Sequence, residues 1–254
     1  MDAFDVEPGE EVFQCQSYAN PFRRDVDILT SESTMTPGSH HLIAFHQNGF
    51  TDGPATPCQG LEFHPAIHGA QVPHLLNTYP PGVGRFLPGD DGVKILVHYL
   101  NTTTETIHAN VKLVLTVTDP ANVTAHASGI FMNNLGLSVA PHSNGAATHS
   151  CTIPRDIKLL SAGSHMHQHG VHFSATTSNG TILYETSEWS DPEPRRFDPP
   201  MAIPAGTEVT WTCDYNNTTG LTLTFGPSAV TNEMCIFNGI YYPAPQGQGI
   251  ECHR

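Results

Sequence analysis

The chain has 254 residues, with 10 Lys and Arg against 24 Asp and Glu and a formal net charge of −14 at pH 7. A chain this acidic repels a phosphate backbone, so nucleic acid is not expected as a partner. No apolar run approaches the roughly 18 residues of a membrane-spanning helix, and the acidic N-terminal residues lack the apolar core of a signal peptide, so neither segment is expected. Histidine, with 16 residues, outnumbers Lys and Arg together.

The content of Gly and Pro favours strands over helices. The 22 Gly and 21 Pro residues are too many for a mostly helical chain. Short runs that alternate apolar with polar residues are bounded by Gly, Pro, Asn or Asp, and no window keeps a helical period. We therefore predict an all-β fold, with strands over residues 39–47, 93–101, 110–119, 129–140, 157–177, 181–186, 208–215, 221–225 and 234–242. Asn179-Gly180 predicts a two-residue hairpin turn.

Two domains are expected. The turn-rich stretch 118–122 interrupts two strand-like segments near the middle of the chain. We predict an N-terminal domain over residues 1–120 and a C-terminal domain over residues 121–254. Each has the size of one antiparallel β-sandwich or jelly roll.

Six cysteines stand at positions 15, 58, 151, 213, 235 and 252 without a CxxC pair, so a zinc ribbon or a thioredoxin-like site has no support. Their even number and wide spacing suit up to three disulfide bridges, although spacing alone does not choose among the pairings. Asn-x-Ser/Thr acceptor triplets begin at Asn101, Asn122, Asn179, Asn216 and Asn217. Together these features predict an extracellular or other extracytoplasmic, oxidising location.

The first candidate metal ligands are His40, His41 and His98. Adjacent side chains on a strand point to opposite faces, so one metal takes both His40 and His41 only at a strand end or bend. Pro37-Gly38 just upstream makes such a bend possible. Each group has an ordinary alternative: a surface pair for the first two histidines, and a hydrogen-bonded core residue for His98.

The sequence HMHQH from residue 165 to residue 169 forms a second group. Its spacing places His165, His167 and His169 on one face of a predicted strand, from which two imidazoles reach one metal. Imidazole suits several transition metals, whereas a thioether favours Cu(I). The candidate thioether is Met234, which opens a late strand, where packing is its ordinary role.

In chain order these residues resemble the catalytic core of the copper type II, ascorbate-dependent monooxygenases, the family of dopamine β-monooxygenase and peptidylglycine α-hydroxylating monooxygenase. Four motifs carry the resemblance, and none of them is specific alone. Their common order and their compatible intervals along nearly the whole chain make the resemblance specific. The motifs are His40-His41, Val97-His98-Tyr99, His165-x-His167-x-x-Gly170, and Glu233-Met234-Cys235 followed by Tyr241-Tyr242. The family implies two jelly-roll-like β-domains, in agreement with the strand prediction.

The resemblance also implies which residues bind copper. One copper would be held in the N-terminal domain by His40, His41 and His98. The second, at the catalytic site of the C-terminal domain, would be held by His165, His167 and Met234. The disulfide pairings implied by the family are Cys15–Cys58, Cys151–Cys252 and Cys213–Cys235.

The activity implied by the resemblance is hydroxylation of a substrate C–H bond with O2, with ascorbate as reductant and two coppers per chain. The substrate, a small molecule or a peptide, is not specified. Peptide-amidating members carry an Arg two positions before the first His of the HxH motif, where it binds a peptide carboxylate, and that position here is Gly163. Their Asn and Tyr, two and four residues after the Met ligand, correspond to Ile236 and Asn238. Peptides that end in glycine are therefore not expected as substrates.

Other classes of protein are alternatives to this reading. A copper-binding or electron-transfer protein of the same fold would keep the ligands without hydroxylase turnover. A multicopper oxidase needs several HxH motifs and a Cys ligand, and a cupin binds one metal without need of Met234. His46 and His169 have open roles, with a hydrogen bond to a ligand favoured for His169. The other histidines are expected at the surface or in loops, at positions 64, 68, 74, 108, 126, 142, 149, 172 and 253.

Overall fold

The computed structural model describes residues 1–62 and 64–253, and most of them lie in β-strands. The described part of the chain contains no α-helix and two short 3₁₀ helices, Pro120–Asn122 and Pro245–Gly247. The predicted all-β class is confirmed. None of the helices among the described residues has the length and apolar character that a membrane crossing requires.

The chain divides into two compact units. Unit 1 comprises Met1–Ala127 with Pro245–Gly247, and unit 2 comprises Ser128–Ala244 with the segment that starts at Gln248. The division lies beyond the boundary predicted between residues 120 and 121. It does so because Ala125 and His126 form a short strand that pairs with Val83 and Gly84, and this pairing holds residues up to 126 in unit 1.

The described residues of unit 1 form twelve strands. In chain order they are β1 Phe4–Val6, β2 Glu11–Tyr18, β3 Val26–Met35, β4 Ser39–Asn48, β5 Thr56–Pro57, β6 Ala66–Ala70, β7 His74–Thr78, β8 Val83–Leu87, β9 Asp91–Leu100, β10 Ile107–Ala109, β11 Val111–Thr118 and β12 Ala125–His126. One sheet has the order β5-β2-β9-β4-β6, and a second has the order β11-β3-β8-β12 with β7 also paired to β3. Strands β1 and β10 form a separate two-stranded sheet.

The core of unit 1 lies between its two larger sheets. Ile28 and Leu87 from the sheet of β3 and β8 belong to one buried cluster with Leu42, Ala44 and Val97 from the sheet of β4 and β9. Because side chains alternate along a strand, the residues between them face away from this core. A smaller buried cluster of Cys15, Phe45 and Leu96 covers that other face of the β2-β9-β4 sheet.

Within the described part of unit 2 there are eleven strands. In chain order they are β13 Ser128–Asn133, β14 Ser138–Val139, β15 Ser143–Thr152, β16 Ile157–His165, β17 Gly170–Thr177, β18 Ile182–Thr186, β19 Arg195–Ile203, β20 Glu208–Asn217, β21 Leu223–Thr224, β22 Ile236–Tyr242 and β23 Ile250–His253. A five-stranded sheet has the order β19-β16-β22-β13-β23, a four-stranded sheet has the order β15-β20-β17-β18, and β14 pairs with β21.

The two larger sheets of unit 2 pack face to face as a β-sandwich. Leu159 and Phe237 from the five-stranded sheet share one buried cluster with Phe173, Trp211 and Tyr215 from the four-stranded sheet. All five are at most 1% exposed. This core fixes which faces of β16 and β22 point outward. His165 ends β16, His167 lies in the turn that follows it, and Met234 lies two residues before β22.

Most predicted strands are confirmed, and two are divided. Seven of the nine predicted segments agree with single observed strands to within two residues at each end. The Asn179-Gly180 turn joins β17 to β18, with Gly180 at φ +83°. The prediction of one strand over 129–140 is wrong, because Asn134 turns the chain by accepting a hydrogen bond from the Gly136 amide at 3.1 Å. The prediction of one strand over 157–177 is also wrong, because residues 166–169 form a turn between β16 and β17, which lie in different sheets.

Some strands have no clear sequence pattern and were not predicted. Strand β3 is rich in Thr, Ser and Glu, and β15 alternates small and polar residues. Strand β19 contains Pro199-Pro200, which fits its position at the edge of a sheet, where missing amide donors are tolerated.

Three disulfide bridges join the cysteines, and they are the pairings implied by the resemblance. Cys15–Cys58 lies in unit 1, and Cys151–Cys252 and Cys213–Cys235 lie in unit 2. The last bridge fixes the start of β22 to β20. Three bridges suit an oxidising compartment.

Candidate metal centres

Unit 1 brings His40, His41 and His98 together. One ring nitrogen from each of the three lies within 4.8 Å of the others. The ring centroids are separated by 5.3 Å, 5.0 Å and 5.1 Å for the three pairs. All three side chains are buried, with at most 8% of any residue exposed. Such a cluster of imidazoles can bind one transition-metal ion.

A β-bulge explains how two consecutive histidines face one site. Ser39 pairs with Tyr99 and His41 pairs with His98, so His40 is the extra residue on β4. A bulge of this kind bends the strand and redirects a side chain. Gly38 precedes it at φ +99°, a conformation that disfavours other residues. The strand-start bend that the sequence required for this pair is therefore present.

The His98 ring is held from two sides. It stacks on Phe13 with a centroid distance of 4.0 Å, and its Nε2 donates to Glu11 Oε1 at 2.9 Å. Burial lowers the pKa of His98, and Glu11 opposes this shift. The ring is thus neutral at pH 7, with its proton on Nε2 and the Nδ1 lone pair available to a metal.

In unit 2, His165, His167 and His169 do not share a strand face, which corrects the prediction. His165 is the last residue of β16, and the chain then turns, with the Gly170 amide donating to the His167 carbonyl at 3.0 Å. A Cβ atom at Gly170 would lie 2.9 Å from Met166 Sδ, so glycine allows the tight passage into β17. The ladder cannot continue, because β17 belongs to the opposite sheet.

His165 and His167 nevertheless lie together. Their ring centroids are 5.2 Å apart at an interplanar angle of 89°, and they offer ring nitrogens within 4.8 Å of each other. His167 is fully buried, and its Nδ1 donates to the Asn232 carbonyl at 3.0 Å. This bond fixes the tautomer and directs the Nε2 lone pair to a metal.

Glu233 fastens the turn that carries His167. Its carboxylate accepts hydrogen bonds from the His167 amide at 2.9 Å and from the His169 amide at 2.8 Å. The residue is 0% exposed. Burial raises the pKa of Glu233 to about 7, against the opposing effect of the amides that it accepts from.

Met234 follows directly and is 5% exposed. Its carbonyl accepts a hydrogen bond from Tyr215 Oη at 2.8 Å, and Trp211 Nε1 donates to the Cys235 carbonyl at 3.2 Å. The Cys213–Cys235 bridge adds a covalent tie. The main chain at Met234 is thus held beside the histidine turn through Glu233 on one side and through β20 on the other.

His46 and His169, whose roles the sequence left open, are not members of the two histidine clusters. His169 takes part through its main chain, and its Nε2 is buried without a hydrogen bond among the described residues. His46 Nδ1 bonds Asp91 Oδ2 at 2.7 Å, so this ring is oriented by a carboxylate and is not one of the three clustered rings.

Sequence reasoning missed the two carboxylates that orient these sites. Glu11 stands on β2, a strand that was not predicted, so its position opposite β9 was not foreseeable. Glu233 had a signal, because a charged residue directly before the apolar run of β22 is unusual unless its carboxylate has buried partners.

The positions expected to face a substrate form a pair on the outer face of unit 2. Ala162 faces the core, so Gly163 and His165 face outward. Gly163 lies opposite Asn238 in the ladder, and a Cβ atom at residue 163 would lie 2.8 Å from Asn238 Oδ1. Ile236 lies opposite His165. The Asn238 amide therefore occupies the space that a side chain at residue 163 would need.

Comparisons with known proteins bear on unit 2. Residues 135–253 match the family model described as copper type II ascorbate-dependent monooxygenase, C-terminal domain. No curated protein sequence matches the chain significantly.

Matches among solved structures are weak. The crystal structure of the STIV MCP is 6% identical, with 95% of this chain and 91% of that chain covered and a TM-score of 0.35. The quasi-atomic model of the PBCV-1 virus capsid is 8% identical, with coverages of 94% and 92% and a TM-score of 0.29. Likeness at this level carries no inference about fold or function.

Proposed function

Since residues 135–253 match the family model of the copper type II ascorbate-dependent monooxygenase C-terminal domain, we propose that the chain is a monooxygenase that hydroxylates a substrate C–H bond with O2 and ascorbate. The observation that carries this proposal is the pair of buried histidine sets, three imidazoles in unit 1 and two imidazoles in unit 2 on a turn that Glu233, the neighbour of Met234, holds by hydrogen bonds. Overall, one oxygen atom enters the substrate and the other is reduced to water by two electrons from ascorbate and two protons.

The donor atoms fit copper. His40, His41 and His98 would hold one ion, and the neutral state of buried imidazoles is the form that binds metals. His165, His167 and Met234 would hold a second, because two imidazoles with one thioether suit Cu(I). Bound copper supplies one-electron redox chemistry and reactivity with O2, which the side chains of this protein cannot supply themselves.

The surrounding residues keep the ligands in place. Glu11 and Phe13 orient the His98 ring, and Asn232 fixes the tautomer of His167. Glu233 holds the turn between His165 and β17. Ligands fixed in this way need little rearrangement when the oxidation state of the ion changes, which favours fast electron transfer.

The substrate is proposed to be something other than a glycine-extended peptide. The outer face beside His165 carries Gly163, Ile236 and Asn238, none of which offers a positive charge to a carboxylate. Rapid ascorbate-dependent hydroxylation of a peptide that ends in glycine would overturn this part of the proposal.

Copper content and coupled oxygen uptake test the whole proposal. We expect two coppers per chain, and ascorbate-dependent O2 consumption matched by hydroxylated product for a member of a panel of amines, amides and aromatic compounds. His98→Ala should remove one copper and abolish product, whereas the control His74→Ala, a histidine paired with Glu32 at the surface, should change neither. Fewer than two coppers in the unmodified protein would contradict the two-site assignment.

A copper-binding or electron-transfer protein is the second candidate, and the closure of the Gly163 position by Asn238 favours it. It predicts full copper loading and reduction by ascorbate, without product from any compound in the panel. We also propose an extracytoplasmic location, since three disulfides need oxidising conditions to persist.

A further inference from the structure

The five Asn-x-Thr triplets of the sequence lie in two different kinds of structural position. Two of the asparagines are buried, Asn101 at 0% and Asn217 at 1% exposure. The other three, Asn122, Asn179 and Asn216, are exposed. A folded protein holds an N-linked glycan only where the Nδ2 atom of the asparagine is open to solvent, because the sugar is bulky and hydrated. The two groups therefore differ in whether this fold can accommodate a glycan.

Asn101 uses its whole amide group inside unit 1. Its Nδ2 donates to the carbonyls of Val6 and Glu105, both at 2.8 Å. Its Oδ1 accepts from the Thr103 amide at 2.9 Å and from the Thr103 hydroxyl at 2.7 Å. An amide nitrogen has two hydrogens, and a glycan replaces one of them. A glycan at Asn101 would therefore break one of these hydrogen bonds, leave a carbonyl without its donor and destabilise the fold.

Asn217 repeats this arrangement in unit 2. Its Nδ2 donates to the carbonyls of Leu221 at 2.8 Å, Ala140 at 2.9 Å and Val139 at 3.2 Å. Its Oδ1 accepts from the Thr219 amide at 3.0 Å and from the Thr219 hydroxyl at 2.8 Å. In each unit the asparagine stands where a strand ends, β9 or β20, and the threonine two positions later closes an Asx turn. This turn accounts for both triplets without a glycan.

The exposed asparagines keep an amide hydrogen available. The residues on either side of Asn216 in β20 are 1% exposed, so its side chain points to the outer face of the sheet. Asn179 lies in the turn between β17 and β18, and its hydrogen bonds with described side chains and amides all run through Oδ1. Asn122 Nδ2 donates to Thr118 Oγ1 at 3.0 Å, and its other hydrogen remains for substitution.

We propose that Asn122, Asn179 and Asn216 are attachment sites for N-linked glycans, and that Asn101 and Asn217 stay unmodified in the folded protein. The donor is a glycosyl group on a polyprenyl diphosphate, transferred by an enzyme of the secretory compartment. The bond from Nδ2 to the anomeric carbon forms, the bond from that carbon to the diphosphate oxygen breaks, and the released amide proton neutralises the diphosphate. This inference rests on the proposed extracytoplasmic location and is independent of hydroxylase activity.

Site mapping of the full chain, secreted from eukaryotic cells by means of an added signal peptide, tests the proposal. Because the added peptide forces secretion, the outcome does not depend on where the protein normally resides. Release of the glycans by an amidase, in water enriched in heavy oxygen, converts each modified asparagine to a labelled aspartate that peptide mass spectrometry locates. We expect label at Asn122, Asn179 and Asn216. Label at Asn101 or Asn217 in the folded protein, or no label at one of the three exposed sites, would overturn the assignment.

The overlapping triplets at Asn216 and Asn217 offer a matched pair of variants. Thr218→Val removes the triplet of Asn216 and leaves that of Asn217, and Thr219→Val does the reverse. Thr218→Val, at an exposed residue, should lose one glycan, seen as one step in electrophoretic mobility. Thr219→Val should keep every glycan and melt at a lower temperature, because it loses the hydroxyl that bonds Asn217 Oδ1. Retention of all glycans in Thr218→Val, or loss of one in Thr219→Val, would show that Asn217 is the modified residue.

Discussion

The two candidate metal centres are built from the same ligand type by different means. In unit 1 the three histidines lie on two neighbouring strands, and a ladder of main-chain hydrogen bonds sets their positions around a bulge. In unit 2, His165 ends a strand, His167 lies in the turn that follows, and Met234 precedes a strand more than sixty residues later. Hydrogen bonds from the His167 amide to the Glu233 carboxylate and from His167 Nδ1 to the Asn232 main-chain carbonyl tie these pieces together.

This difference predicts which substitutions should disturb the positions of the ligands in each unit. A ladder distributes the positioning of His41 and His98 over many bonds, so the loss of one orienting side chain should change the site little. The unit 2 site depends on a few buried contacts to a single carboxylate, and the loss of one of them should be felt strongly. Substitutions in the two units therefore separate the two constructions.

The largest effect is expected for Met234→Ile. The substitution keeps the volume but removes the thioether, so the loss of hydroxylation should exceed the roughly 100-fold that removal of a ligand-orienting residue causes. X-ray absorption of the Cu(I) protein should lose its sulfur contribution, while the nitrogen contribution of unit 1 persists. The control Met201→Ile should leave the spectrum unchanged. Retention of the sulfur signal in Met234→Ile would remove this residue from the ligand set.

Glu233→Gln should have the next largest effect. A carboxamide offers one oxygen and one NH2 where the His167 and His169 amides both need an acceptor, so one hydrogen bond becomes a repulsive contact. We expect the Cu(I) affinity of unit 2 to fall roughly 10- to 100-fold.

A competition titration with a chromophoric chelator measures this affinity, in a His98→Ala background so that only the unit 2 site is observed. Glu208→Gln, at an exposed position on β20, is the matched control. Equal affinities for Glu233→Gln and the control would mean that Glu233 does not position the ligands.

Glu11→Gln should have a smaller effect in unit 1. The amide oxygen still accepts from His98 Nε2, the Phe13 stack remains, and only the negative charge is lost. We expect copper affinity to fall tenfold or less, about the lower end of the effect of such partners. The same titration in a Met234→Ile background measures it. A fall as large as that of Glu233→Gln would contradict the contrast between the two constructions.

The sequence predicts different parts of the two units with unequal success, for physical reasons. Strands β4 and β9 carry apolar runs with clear ends, and the Pro37-Gly38 bend correctly indicated how His40 and His41 could share a site. The break after His165 was hidden, because the spacing of His165, His167 and His169 continues the period of a strand, and only the close contact between Gly170 and Met166 shows how tightly the chain turns there. Local sequence patterns do not predict such packing or the sheet to which each strand belongs.

The orienting carboxylates show the same limit. Glu11 acquires its role from the register between β2 and β9, which depends on the whole sheet. The polar composition of β3 conceals a strand on which Ser31 and Ser33 are both buried, and Ser31 Oγ lies 2.8 Å from His68 Nδ1. Ordered motifs identified the candidate ligands, whereas the residues that hold them became visible only through tertiary contacts.

The smallest effect concerns Gly163 on the outer face of unit 2. In Gly163→Ala the new methyl group would meet Asn238 Oδ1 at 2.8 Å, and the amide must move at a cost of about 1 kcal/mol. Asn238→Ala should relieve the contact, so the double variant should be more stable than the sum of the single effects allows. Denaturant unfolding measures the cycle, with Gly69→Ala in unit 1 as a strand glycine whose nearest contact is 4.0 Å away. Additive effects would show that Asn238 does not occupy the space beside residue 163. The lack of a charged side chain next to His165 would then be due to Gly163 alone.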